Sequence, residues 1–426
     1  MSFSSADRSA MGLTLARWGV IGMAASMPIS RAIFNLSALM MLMGWLLSGD
    51  FRRKWDDLKG DRVAWACVAL FAVVVLSAIV GSASRSDTLS QVRNYSKLLY
   101  VPLIVSLVSD PSWNRRAWTA LLAGLGLTLA VVWLDVWFDI PGTRTYGLAD
   151  AADKGVFYHH IAQGMALAFL AAYGLHRVLS PGISRQRLVW LLITVADVIA
   201  LVFINESRAA QLSVIAALIL VVITHAPARW RWPGVALAAL AIAALGLGSA
   251  NMQDRFKAGW KEASSYQLDG QSTSVGARLQ AWDATVAWIK EAPVLGHGAG
   301  AYRAWAHQHF DGSPICKLGV CEQPHNQFIL TTAESGAVGL LTLLAFLFAP
   351  LISGKAPRSK ATLLYPPLLG IFVATAVFDS SLSIQPQAFF FVTTLGIVMA
   401  SRGVLGNAAG QYASNTPMNG LLQDQR

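Results

Sequence analysis

Charge is what this chain has least of. Only 13% of its 426 residues are Asp, Glu, Lys or Arg, about half the share expected of a soluble domain. Sequence patterns for energy coupling or metal binding are missing too. There is no Walker phosphate loop, no internal repeat and no soluble catalytic domain, and the proposed outer segments hold no His-Glu-x-x-His, Asp-x-Asp or paired-Cys ligand pattern. No metal or other cofactor is therefore expected. Cysteine is nearly absent, with three residues, which rules out a disulfide-built scaffold.

What the chain has instead is apolar length. Hydrophobic residues make up 55% and the mean hydropathy is +0.50, so most of the chain is expected in lipid. A bilayer core of about 30 Å asks for roughly 17 to 25 apolar residues per helix. The spacing predicts about twelve spans, at 14–29, 32–49, 63–81, 97–110, 117–138, 157–175, 188–204, 209–225, 234–250, 326–350, 361–378 and 388–402. The fold class expected is an all-α polytopic membrane protein with one large, partly helical loop between the ninth and tenth spans. Its domains are 1–250 (spans one to nine), 251–325 (the loop), 326–402 (spans ten to twelve) and a disordered tail, 403–426. The first apolar segment lacks a small-residue cleavage signature and reads as an uncleaved span.

Clusters such as Arg52, Arg53 and Lys54, or Arg185 and Arg187, set the orientation. With the N-terminus inside, the larger share of Lys and Arg falls on the inner side in short connections, as the positive-inside rule requires. Both termini are then cytoplasmic and the loop faces the periplasm of a Gram-negative host. The net charge of +10 is accounted for by topology and anionic lipid, with no nucleic-acid partner. Cys67 falls inside the third span as a packing residue. Cys316 and Cys321 flank a short outer segment where either a disulfide or two free thiols would fit, and the disulfide is the favoured reading.

The loop is not a tether. Met252, Phe256 and Trp260 recur every four residues, as in an amphipathic helix lying on a membrane. Leu279, Trp282, Val286 and Ile289 form a second helical stripe, and Tyr302, Trp305 and His309 share one face of a third short helix. Arg278 opens the second of these helices, where it either pairs with a carboxylate or offers its planar donor fork to phosphate. Arg208 follows Asn205, Glu206 and Ser207 in a very short outer turn, at a helix start that itself favours an anion, unless Glu206 simply neutralises it. His325, preceded by Pro324, stands at the start of the tenth span, where the helix field helps keep imidazole neutral and able to accept a proton. The bland alternative is an interfacial capping imidazole. Glu334 lies about 13 Å of helix further on, where an ionisable group faces protein or water, and Gly336 and Gly339 are expected to permit close helix packing. Arg85, Arg93 and Lys97, with Arg144, Lys154, His159 and His160, line the same cavity or meet headgroups. Of these Arg85 and Arg93, together with Asn326, are the candidates for substrate binding.

Taken in order, Asn205-Glu206-Ser207-Arg208, Val275-Gly276-Ala277-Arg278-Leu279 with Trp282, Pro293-Val294-Leu295-Gly296-His297-Gly298-Ala299-Gly300, His325-Asn326-Gln327-Phe328 and Glu334-Ser335-Gly336 resemble the O-antigen ligase family. That family shares a superfamily with O-antigen polymerases and bacterial protein O-oligosaccharyltransferases. The resemblance covers roughly 200–345 by motif and the whole chain by layout. It implies a membrane-embedded glycosyltransferase that moves an O-antigen polysaccharide from undecaprenyl diphosphate to a sugar hydroxyl of lipid A-core, at the periplasmic side of the inner membrane. Arg208 and Arg278 would then stabilise the departing diphosphate and His325 would act as base. No Asp/Glu pair suited to a covalent glycosyl intermediate is evident, which favours inversion. The alternatives are the polymerase or oligosaccharyltransferase branches and, from another class, a lipid or solute transporter. Against transport, the late loop breaks the symmetry of halves common in carriers.

Overall fold

The computed structural model describes residues 5–81, 83–145, 155–205, 207–236, 273–352 and 360–402, with a few single positions between 240 and 260. The ninth expected span, the Met252-Phe256 stripe, Lys154, Glu206 and the tail at 403–426 lie outside them. Every regular element among the described residues is helical. The first half of the chain contributes α1 (Ser5–Ser26), α2 (Arg31–Leu47), α3 (Phe51–Leu58), α4 (Arg62–Val80), α5 (Arg85–Tyr95), α6 (Tyr100–Val108) and α7 (Pro111–Leu134). A 3₁₀ turn, Ser96–Leu99, joins α5 to α6. Then come α8 (His160–Leu179), α9 (Ser184–Ile199) and α10 (Arg208–His225). The polar island supplies α11 (Ser274–Ile289) and α12 (Ala301–His309), and the chain closes with α13 (Gln327–Ile352), α14 (Tyr365–Ala376) and α15 (Gln385–Ala400).

Five segments are long and apolar enough to cross a membrane, judged by length and composition: Arg62–Ile79, Pro111–Leu134, Ser184–Ile204, Arg208–His225 and Gln327–Ile352. The chain is a membrane protein. Each expected span within the described residues falls on a helix, while α2, α14 and α15 are shorter apolar helices. Exposed Leu36, Leu76, Ile79, Leu192 and Leu341 mark surfaces that only lipid would accept without penalty. At the centre stands α15, with all but the first of its residues buried. Phe389 stacks on Phe34 at 3.8 Å between ring centroids, and Phe391 meets Phe372 at 4.2 Å.

The helices of the polar island pack around a small core of their own: Ala277, Ala281, Trp288, Tyr302, Ile315 and Val320 against Leu330 and Ala333 of α13. The buried face of α11 is not the expected stripe. Ala277, Ala281, Thr285 and Trp288 face inward, whereas Val286 is 45% exposed. Small side chains let α11 approach α13 closely, a preference that hydrophobicity alone does not reveal.

The element that positions everything else is a break in α13. Gly336 adopts φ +63° and ψ −163°, so the carbonyls of Ala333 and Glu334 and the N–H groups of Ala337 and Val338 lose the helical ladder. The glycine-rich run takes up all four. His297 N donates to Ala333 O at 3.0 Å and Gly298 N to Glu334 O at 2.9 Å, while Ala337 N and Val338 N donate to Pro293 O (2.8 Å) and Val294 O (3.3 Å). The expectation that Gly336 serves helix packing is thus corrected. It supplies a left-handed residue at a point where a Cβ would collide with the Val294 carbonyl.

Gly336→Ala is expected to cost about 2 kcal/mol or more, through both backbone strain and collision. Gly49 also has positive φ (+61°) but open space around it, so Gly49→Ala should cost only the strain. Thermal unfolding of the purified protein compares the two, and equal losses would show that the glycine run does not clasp the break.

Candidate functional site

The first turn of α13 is fixed by its cap. Asn326 Oδ1 accepts from Phe328 N and Ile329 N, both at 3.0 Å, and its Nδ2 donates to Val377 O at 3.1 Å. Both polar ends of Asn326 are therefore committed to the fold. One residue earlier, His325 has φ +52°, a left-handed backbone that few residues with a Cβ adopt. The residue before it is held from the loop side, because Trp282 Nε1 of α11 donates to Pro324 O at 2.7 Å.

This geometry turns the imidazole toward Asp379, in the connection between α14 and α15. His325 Nδ1 lies 3.1 Å from Asp379 Oδ1. A carboxylate oxygen accepts here, so in the neutral imidazole Nδ1 carries the hydrogen and Nε2 the lone pair. Asp379 is 3% exposed and held on every side: Ser380 N at 3.0 Å, Gln323 Nε2 at 3.5 Å and, on its other oxygen, Gln387 Nε2 at 2.7 Å. His325 Nε2 is buried and has no hydrogen-bond partner among the described residues. Gly319 stands opposite it, where a Cβ would come within 3.4 Å of Nε2. The hydroxyls of Ser380 and Ser381 are also buried and unpartnered. These are polar groups with unused capacity, two of them on the residues that follow Asp379 in the chain.

Gly319 belongs to a turn that is closed covalently. Cys316 and Cys321 are disulfide-bonded, with Cα atoms 5.0 Å apart. Tyr302 OH donates to Val320 O at 2.7 Å, and burial pushes its phenol well above the usual range, so it remains a donor. Trp288 stacks between His297 (3.9 Å) and Trp305 (4.4 Å), and Trp305 stacks on His309 (4.9 Å). His297 and His309 thus serve as packing rings. Arg303 ties the loop to α5 and to the segment before His325 by ion pairs to Asp87 (3.3 Å) and Glu322 (2.8 Å).

Arg208 is the first residue of α10. Ser207 caps the helix, its Oγ accepting from Ala210 N at 3.2 Å, and Asn205 Oδ1 accepts from Ser207 N at 2.8 Å. Five residues further on, Ser213 Oγ meets Thr375 Oγ1 at 3.0 Å. That pairing sets the start of α10, roughly 7 Å away, at the same end of the bundle as the Asp379 connection. Arg278 is one turn from Trp282 on α11, partly buried, and so is tied to this end through Pro324. Arg208, Arg278 and His325 are all at one end of the molecule. Arg85 and Arg93 are exposed at the two ends of α5.

Glu334 is 5% exposed. Gln91 Nε2 donates to it at 2.7 Å, and the backbone of Gly300 and Tyr302, at the start of α12, hydrogen-bonds to its carboxylate. It fastens α5, α12 and α13 together and caps a helix that favours an anion there.

Among known families, the O-antigen ligase family matches residues 188–344. Residues 188–344 are thus similar to the O-antigen ligase family. Members of this family are glycosyltransferase-like enzymes. The match runs from α9 into α13, so it takes in Arg208, Arg278, the glycine run, His325 and Glu334, and stops short of Asp379. An uncharacterized protein of Haemophilus influenzae is 28% identical over 102 residues, which cover 24% of this chain and 26% of that relative. The chain thus matches about a quarter of that relative's length. Asp379 is the site residue that sequence reasoning missed. Its signal was a carboxylate followed by two serines between apolar runs, but its partner is 54 positions away.

Replacing both Cys316 and Cys321 with Ser should lower stability by about 2 kcal/mol, the loop-closure value for so short a ring. Thermal unfolding with and without reductant tests this. A wild-type protein insensitive to reductant, with the double variant equally stable, would mean the ring does not constrain the turn over His325.

Proposed function

We propose that this chain is the ligase itself. It transfers a preassembled O-antigen glycan from undecaprenyl diphosphate to a sugar hydroxyl of lipid A-core, at the periplasmic face of the inner membrane. The observation that carries the reading is the His325–Asp379 pair, which leaves Nε2 bare at the end of the bundle that also holds Arg208 and Arg278. In this reading the chain has about twelve spans with both termini cytoplasmic, and residues 251–325 form the periplasmic loop.

The acceptor hydroxyl is a weak nucleophile until it loses its proton, and His325 Nε2 takes that proton as the new C–O bond forms. The imidazolium that results is stabilised by the buried Asp379 carboxylate, which also fixes the tautomer. As the anomeric carbon–oxygen bond to phosphate breaks, its electron pair goes to the diphosphate. The guanidinium forks of Arg208 and Arg278 stabilise that charge most where it is greatest, in the transition state. A single displacement inverts the anomeric centre. The acceptor reaches Nε2 when the disulfide-closed turn carrying Gly319 gives way.

The test is purified protein with lipid-linked glycan and lipid A-core, without ATP or added metal. Glycan-capped core is the expected product; longer lipid-linked glycan would make the enzyme a polymerase, and movement without bond change a carrier. His325→Ala should abolish transfer while donor stays bound, and Asp379→Asn should lower kcat by about 10²–10⁴-fold. Arg208→Lys and Arg278→Lys should each impair transfer despite retained charge, because the bidentate fork is lost. Unchanged turnover in the His325 and Asp379 variants would remove the proposed base.

A further inference from the structure

Lys97 is a buried lysine with no carboxylate beside it among the described residues. It sits in the 3₁₀ turn between α5 and α6 and is 5% exposed. Its Nζ donates to Asn94 Oδ1 at 3.1 Å and lies 5.2 Å from the Phe389 ring centroid. No carboxylate among the described residues pairs with it, and the charged side chain acting on it is another cation, Arg93. Burying an ammonium without an anion costs several kcal/mol, and one amide oxygen with one aromatic face offsets only part of that. An apolar side chain at this place would make a more stable protein, so the charge calls for a ligand.

Its place in the fold says which ligand. Two residues earlier, Tyr95 OH accepts from Gln327 Nε2 at 2.7 Å, which places the turn beside the first turn of α13. Gln387, which holds Asp379, lies two residues before Phe389 on α15. Lys97 thus belongs to the His325 end of the bundle, but its immediate walls are aromatic: Phe389 is stacked on Phe34, and Tyr100 adjoins Phe34 at 6.5 Å. A cation with one polar partner beside an aromatic wall suits an anion joined to a hydrocarbon chain.

We propose that Lys97 binds the phosphate nearest the lipid in the diphosphate donor, while Arg208 and Arg278 hold the phosphate nearest the sugar. The assignment rests on the donor being a polyprenyl diphosphate. Binding of undecaprenyl diphosphate, undecaprenyl monophosphate and phosphatidylglycerol is measured on full-length protein in detergent, as Kd and as ligand-induced shift of the unfolding midpoint.

Lys97→Met should bind both polyprenyl phosphates at least about tenfold more weakly. Its ligand-free midpoint should equal or exceed that of the wild type, and Lys97→Arg should recover part of the affinity. A lower ligand-free midpoint with unchanged affinity would make Lys97 structural and overturn the proposal. Loss of the phosphatidylglycerol response alone would assign the site to a headgroup and overturn it too. If the wild type binds neither polyprenyl phosphate, both this assignment and the proposed donor fall. If the wild type binds them and Lys97→Met binds as well, only Lys97 falls.

Discussion

Four backbone groups released by one glycine hold the site end of this protein in place. In an apolar surrounding, an unpaired N–H or C=O is too costly to leave exposed, so a helix cannot break in a membrane unless another segment takes over its hydrogen bonds. The glycine run does this for α13. The Pro293–Gly300 motif and the Glu334–Gly336 motif are therefore two halves of one joint, closed across 36 positions of chain by the Gly298 N to Glu334 O bond of 2.9 Å and its neighbours. Ser77 Oγ adds a further bond to the same Glu334 carbonyl at 2.7 Å. The polar island is thereby clamped to α4 and α13, and the start of α13, with His325, has a fixed position relative to the loop.

Once the joint is set, the polar groups divide into two classes. Glu334, Asn326, Gln327 and Tyr95 have their capacity used by the fold. Gln327, fully buried, donates to Tyr95 OH and Thr331 Oγ1 and accepts from Leu382 N at 2.7 Å. His325 Nε2, Ser380 Oγ and Ser381 Oγ have theirs unused. Unused capacity beside a well-anchored carboxylate is expensive to maintain, and such expense is characteristic of sites built for a transient charge. The same reasoning separates Lys97 from the other cations: Arg303 has two carboxylates and is half-exposed, so its pairs cost little and decide little.

Composition and run length made the helical membrane class legible, because both follow from the solvent rather than from any particular contact. The order of motifs made the likeness to the O-antigen ligase family over 188–344 legible for a different reason: each motif is a local backbone requirement, such as the cap at Ser207 or the positive φ at Gly336. What was not legible depended on pairing across the chain. Asp379 was hidden because its local signal, a carboxylate before two serines, says nothing of a partner 54 positions away. The buried face of α11 was misjudged because Ala277 and Ala281 score poorly as hydrophobes, yet they are the residues that permit close approach. Asn326 carried two readings, cap and ligand, and only the bonds to Phe328, Ile329 and Val377 show where its side chain is spent.

The left-handed backbone at His325 brings these strands of argument together. A residue with a Cβ is strained there by an amount of order 1–3 kcal/mol, and the strain is held by restraints on both sides: Trp282 grips Pro324, and Asn326 is locked between the α13 cap and Val377. Release of the strain would swing the imidazole away from Asp379, since no other bond of the side chain fixes its direction. Placement of the base therefore depends on contacts made by its two neighbours, one to the loop and one to α14. Loop and bundle are each necessary to aim one nitrogen, which is why the polar island is interposed between spans and its end runs directly into α13.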